Sequence, residues 1–357
     1  MQKIRLVWLL TLALLLPGTM GSLSALADIE VPRPTTLTEI DQIAEIRRCE
    51  SCQIHHADLS GLDLSGASFK FAKIIDAQLV DTSLVEADFR GAHIGYGDWS
   101  GADLRWANLT DVSLNSIYLN DADLEAANLS NSSIASSIIR SANLTGVSLI
   151  NTEIWGVDFS KSELTDTDLT NATLQEVYFL GADLRGANFN QASFINVIYD
   201  AHTQLPEGFS PPESGMYLLA PYAIAVGING YELDLSDQDL TGLNINYSRI
   251  TRSDFSRATL NEAFLENSHL GESIFIETDF IDARLCNAQL WRTNLIKADF
   301  QGADLRGTDL SNAVIDSANF QGALYDANTQ FPAELDVIAA GAILSDDGRE
   351  PCPPDER

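Results

Sequence analysis

An apolar residue returns at every fifth position from Leu59 to Tyr199, through Leu64, Phe69, Ile74, Leu79, Leu84 and Phe89; all 29 members of the series are Leu, Phe, Ile, Trp or Tyr. A period of five fits neither the helical repeat of about 3.6 nor the strand repeat of about 2, so neither an amphipathic helix nor an ordinary sheet can keep these side chains on one side. Repetition at so short a period points to a solenoid, in which each coil buries its inward residues against its neighbours. Two residues before each large residue stands a small one, Ala in 15 of the 29 units, with a polar residue, often Asp or Asn, between them. Residues two apart in extended chain face the same way, so each unit turns two side chains inward and three outward. A second series runs from Leu235 to Tyr325 in 19 further units. The phase slips between the two, over residues 202–232, which hold Pro206, Pro211, Pro212 and Pro221. Both series close on similar words, Tyr199-Asp200-Ala201-His202-Thr203-Gln204-Leu205-Pro206 and Tyr325-Asp326-Ala327-Asn328-Thr329-Gln330-Phe331-Pro332, as a duplicated cassette would. The slip and the prolines predict two stacks instead of one unbroken tower.

The units read ADLSG, ADFRG, ADLRW, ANLTD, ADLEA and ANFNQ, and in this the chain resembles the pentapeptide-repeat family over residues 57–201 and 233–327. The resemblance implies an all-β fold, a right-handed quadrilateral β-helix in which four units make one coil of 20 residues. It also implies a protein without catalytic activity, and for some members an acidic rod that imitates DNA and occupies a type II topoisomerase such as gyrase.

Residues 1–27 begin with Lys3 and Arg5, continue through an apolar run from Leu6 to Leu16 and end on Ser24-Ala25-Leu26-Ala27, the order of a secretory signal peptide cleaved after Ala27. That run is shorter than the roughly 18 to 20 residues needed to span a bilayer. The expected location is therefore the periplasm or thylakoid lumen, without stable membrane insertion. A capping box at Thr36-Leu37-Thr38-Glu39 predicts a helix to about Arg48 that lids the first coil. The expected organisation is a signal peptide over 1–27, an N-terminal cap helix with a CxxC over 28–56, a first array over 57–201 and a linker or cap over 202–232. A second array over 233–327 and a C-terminal cap and tail over 328–357 complete it. Within the linker, residues 213–226 are apolar enough to cap the first array or bridge to the second.

The formal charge is −30, which opposes contact with nucleic-acid phosphates. No GxxxxGK, HExxH or GxSxG string announces an enzyme, and nothing calls for a cofactor. Cys49 and Cys52 precede His55 and His56, a grouping open to a metal site, a redox pair or a structural disulfide; an oxidising compartment favours the disulfide, and family members carry a similar CxxC as a staple before the first repeat. Cys286 and Cys352 are candidates for a second disulfide.

With 20 residues per coil, outward residues 20 apart become vertical neighbours. One such column is an acidic ladder, Asp103, Asp123, Asn143, Glu163 and Asp183, whose charges would repel by about 1 kcal/mol per pair in water at ~4.8 Å. The repeat itself places acids there, so the ladder needs no chemical purpose. A second column, Tyr118, Ile138, Asp158, Tyr178 and Ile198, with Trp155, Ile195 and Tyr96 nearby, would expose a contiguous apolar surface suited to a protein partner, unless the linker or second array covers it. The expected function is a rigid acidic binding or structural scaffold; a DNA mimic is the alternative, and only for a cytoplasmic protein.

Overall fold

Each unit bends at a residue of positive φ. The sequence Gly61, Gly66, Phe71, Asp76, Asp81, Glu86 and Gly91 repeats this bend every five residues, at φ near 60°. Leu64 O accepts a hydrogen bond from Ala67 N at 3.0 Å. Positive φ at the third residue and an i to i+3 bond are the features of a type II turn. Only some of these corners are glycine; an array of identical turns imposes the strained conformation on Asp, Asn, Ser and even Tyr96 and Trp106.

The structure is a computed structural model, and it describes residues 47–212 and 215–345. The signal peptide, most of the anticipated N-terminal helix and the tail with Cys352 lie outside those residues. Among the described residues no helix occurs. Arg47 and Arg48 are not helical either: Arg48 bridges to Ser68, and Cys49 N donates to Ser68 O at 2.7 Å. Among the described residues the ladder is thus already present at Arg48, ahead of the expected Ala57, because an extended segment bonds to the next coil whether or not it carries the repeat word.

Consecutive coils pair in parallel at a spacing of 20 residues. One wall forms an eight-stranded sheet from β1 (Gln53–His55) to β8 (Ser193–Ile195), each strand hydrogen-bonded to the next in sequence. On the other walls the ladder reduces to single bridges such as Asp58↔Gln78 and Asp63↔Ser83. Leu64, Ala67, Phe69, Ala72, Leu79 and Leu84 are wholly buried. Where Ser or Thr replaces the small inward Ala, its hydroxyl is satisfied: Thr82 Oγ1 donates to Leu59 O at 2.9 Å and Thr167 Oγ1 to Leu144 O at 3.0 Å.

Two hydrophobic cores result. The first runs from Cys49 to Met216. The second, rich in stacked rings such as Phe280 on Phe300 at 4.7 Å and Phe300 on Phe320 at 5.2 Å, extends over Leu219–Ala323. Between them, β9 (Val197–Asp200) pairs with β10 (Met216–Leu219), and β10 belongs to both: Met216 packs into the first core and Leu219 into the second.

Three residues that point outward from the first stack, Tyr178, Leu180 and Ile198, are also members of the second core. An inward-facing core can meet another stack's outward side chains only at its open end, so the flank of the first stack seals the base of the second. Polar contacts fix the seam. Arg140 Nη2 donates to Glu232 O at 2.6 Å, and Lys161 Nζ lies 2.8 Å from Asp234 Oδ2. The Asn196 amide exchanges two bonds with the Asn229 backbone at 2.7 and 3.0 Å, standing in for a strand neighbour.

Candidate functional site

Asp or Asn before the large residue has a local task. Asp63 Oδ1 accepts from Ser65 N at 3.0 Å, and Asp123 Oδ1 from Glu125 N at 3.1 Å, so the side chain ties down the adjoining turn. This accounts for Asp103, Asp123, Asn143 and Asp183 of the ladder, whose five members, Glu163 included, are bridged coil to coil. Arg105 engages Asp103 at 2.7 Å, Arg185 engages Asp183 at 2.5 Å, and Asn143 Nδ2 donates to Asp123 Oδ1 at 3.0 Å. The adjacent guanidinium holds the carboxyls of Asp103 and Asp183 below the usual range against the opposing effect of burial. At these two positions a short-range partner favours the ionised form. Among the described residues no group of three or more His, Cys, Asp or Glu is arranged to hold a metal ion.

Cys49 and Cys52 form a disulfide with Cα atoms 5.3 Å apart, packed against the base of the first core. His55 and His56 come at the end of β1 and just after it, where His56 Nδ1 lies 2.7 Å from Asp76 Oδ2. Cys286 is buried, and no described cysteine is a free thiol; the expected partner Cys352 falls outside the described residues.

The apolar column divides at the seam. Tyr118 and Trp155 remain about half exposed, Ile195 and Tyr96 are exposed, and Ile138 is half-buried. Tyr178 and Ile198 are buried, the second stack being seated on them, which is the cover by the second array that the sequence left open for this column. Burial pushes the Tyr178 phenol up to about 12, against the opposing effect of its hydrogen bond with the Tyr231 backbone.

Where the covered and open parts meet lies a cavity of about 510 Å³. Its first wall is Tyr118, Ile138, Asp158 and Tyr178; its second is Trp155 at the end of β6 (Glu153–Trp155); its third is Tyr231 and Glu232 from the second stack. The corner residues between the first two walls are Ser116, Ser136, Gly156 and Glu176. The same corner one coil earlier carries Tyr96, so three successive small residues make the space. Asp158 is buried, its Oδ2 2.6 Å from Arg140 Nε and its Oδ1 accepting from Ser160 N at 2.8 Å. Arg140 joins both stacks across the cavity's edge. The sequence pointed to Tyr118, Ile138, Trp155 and Tyr178 but not to Tyr231 or Glu232, since nothing in a period of five encodes which flank a later coil will meet. The run Ser116, Ser136, Gly156, read at a spacing of 20, was the available signal.

The cavity contains no Ser–His or Cys–His pair and no convergent set of acids and bases in reach of a single reacting atom. What it offers is aromatic surface, hydroxyls and negative charge.

A family model described as pentapeptide repeats matches in 8 copies over residues 48–84, 87–125, 127–166, 162–198, 253–292 and 293–323, more than half of the chain. Among solved structures, similarity is found to a pentapeptide repeat protein of the Arabidopsis thaliana thylakoid lumen, at 28% identity over 29% of this chain and 71% of that one, with a TM-score of 0.28. HetL of the cyanobacterium Nostoc, involved in heterocyst differentiation regulation, matches at 20% identity over 81% of this chain and 96% of its own, with a TM-score of 0.22. QnrB1, a plasmid-mediated fluoroquinolone resistance protein, matches at 18% identity over 46% and 90%, with a TM-score of 0.25. No curated protein matches the chain.

Proposed function

Because the chain belongs to the pentapeptide-repeat family, we propose that it is an exported, non-catalytic scaffold of the periplasm or thylakoid lumen that holds a protein partner at the seam between its two stacks. The observation that carries this reading is the junction cavity, about 510 Å³ in volume and lined by half-exposed Tyr118 and Trp155 beside a second stack that contributes Tyr231 and Glu232. Exposed aromatics grouped at a concavity are characteristic of protein contact sites, whereas the charge of −30 opposes nucleic acid. The signal-peptide order of residues 1–27 supports export, and among the described residues no helix is long and apolar enough to cross a membrane.

The same charge favours a second reading, a DNA mimic that occupies a type II topoisomerase such as gyrase. That reading requires a cytoplasmic protein. Cell fractionation with an antibody separates the two: recovery from the periplasm or lumen supports the scaffold, and recovery from the cytosol with inhibition of gyrase supercoiling supports the mimic. Within the scaffold reading, a Tyr118→Ala/Trp155→Ala variant should lose the proteins that the wild type retains on an affinity column from the matching compartment. An unchanged set of retained proteins would refute binding at this site.

A further inference from the structure

The chemistry of the cavity says what it is suited to receive. Arg140 is its cation, and that charge is already engaged: Nε lies 2.6 Å from Asp158 Oδ2 and Nη2 donates to Glu232 O at 2.6 Å. Asp158 is likewise taken up, by Arg140 and by Ser160 N. Glu176 and Glu232 also line the space, and neither makes an ion pair among the described residues. Once the Arg140–Asp158 pair cancels, the lining carries two negative charges, in the same cavity as Tyr118 and Trp155. Aromatic faces attract cations through the ring quadrupole, and more strongly where water is partly excluded. An arginine or lysine is therefore complementary in charge and shape, while an acidic or a wholly apolar group is not.

We propose that the junction cavity receives a cationic side chain, an arginine or lysine displayed on a loop of the protein partner, with Trp155 and Tyr118 as its aromatic walls and Glu176 and Glu232 as its counter-charges. The inference rests on the partner-binding reading above and deepens it. The space is large for one side chain and suits a short segment of chain around it. Gly156 permits entry. Its own corner could hold a larger residue, since an added Cβ would meet only Ser136, at 3.8 Å, and φ of +61° is the conformation that Tyr96 adopts in the same column.

The test uses the full chain with 5-fluorotryptophan incorporated, the Trp155 resonance being assigned by its loss in Trp155→Phe. Titration with the peptide acetyl-Gly-Arg-Gly-amide should shift the Trp155 signal saturably and leave buried Trp99 unmoved. The citrulline peptide, equal in shape but neutral, should bind at least about tenfold more weakly, a ratio consistent with a partly desolvated cation–aromatic contact. Gly156→Tyr should abolish the shift by filling the corner. Glu232→Gln, which alters no packing, should weaken binding roughly threefold or more and reduce its salt dependence. Equal binding of the arginine and citrulline peptides, or binding unchanged in both Gly156→Tyr and Glu232→Gln, overturns the proposal. Partner retention that depends on Tyr118 and Trp155 without any response to the arginine peptide would sink this inference and leave the scaffold reading standing; partner retention indifferent to those aromatics would sink both.

Discussion

The two stacks close with the same local bonding, yet among the described residues one closing turn is built over and the other is not. At residue 200 the chain inserts one residue into its coil, so that Asp183 bridges Gln204; at 326 it does so again, and Asp309 bridges Gln330. Asp200 Oδ1 accepts from Gly181 N at 2.9 Å, His202 N at 3.0 Å and Thr203 N at 2.9 Å. Asp326 Oδ1 accepts from Gly307 N at 2.9 Å, Asn328 N at 2.9 Å and Thr329 N at 3.0 Å. Each cassette then returns a strand over its own top, β10 on β9 in the first and β14 (Ile343–Leu344) on β13 (Leu324–Tyr325) in the second. In the first, Tyr217 and Leu218 are half-buried and Leu219 sits in the second core; in the second, the residues at the places of Tyr217 and Leu218, Ile343 and Leu344, are exposed. Like local bonding therefore yields a junction in one place and, among the described residues, an uncovered end in the other, and the difference resides in burial, not in hydrogen bonds.

Breaking the junction should give the largest effect. Ile198→Ala, at a fully buried position shared by both stacks, is expected to cost roughly 2–5 kcal/mol in urea denaturation, whereas Leu324→Ala at the matching, half-buried site should cost about 1 kcal/mol. Equal costs would mean that the seam adds nothing to the first cassette. Next comes Asp200→Ala. It takes the buried acceptor from three partly buried N–H groups and removes the contact to Gln238 Nε2 at 3.2 Å, so it should cost roughly 1–3 kcal/mol. The corresponding Asp326→Ala should cost less, because water reaches the turn.

Acid should loosen the uncovered end. Burial raises the Asp326 carboxyl, but hydrogen bonds from Gly307 and Asn328 outweigh it and hold the group below its ordinary value. Its contribution is therefore present above the unfolded value of about 3.9 and is lost as pH falls through the lower folded value. Amide exchange at Ile343–Ser345 should accelerate below about pH 4 in the wild type, and Asp326→Asn should flatten that dependence. The smallest effect is expected at Asp279, whose carboxyl is pushed up by burial and by Asp299. Its ionised form opposes folding above the unfolded value, so Asp279→Asn should raise the neutral-pH thermal midpoint slightly and remove this group's own gain as pH falls toward about 3.9.

The coils were legible because a five-residue word is a local instruction. It sets an inward pair, a turn and an outward trio, and neighbours at a spacing of 20 arise from four corners. The role of Asp and Asn in tying down the turn was less visible, since the same letters also read as an acidic ladder. Leu59, Leu104 and Leu184 lie in the interior that their spacing required. Whether Tyr178 and Ile198 are open or covered by the second array was left undecided by the sequence, because their environment is set by contacts such as Arg140 to Glu232, 92 residues apart in sequence. Half of the cavity could be read from Tyr118, Trp155 and the small corner residues; Tyr231 and Glu232 required the fold.

The docking of one stack on the flank of the other is the claim on which cavity and function both depend, and a distance measurement tests it most directly. Spin labels at Asn131→Cys on the first stack and Glu262→Cys on the second, both exposed corner positions, should give a single narrow distance distribution that broadens in Ile198→Ala. A broad distribution in the otherwise unaltered chain, unaffected by Ile198→Ala, would show two stacks swinging freely on their linker and would contradict the account.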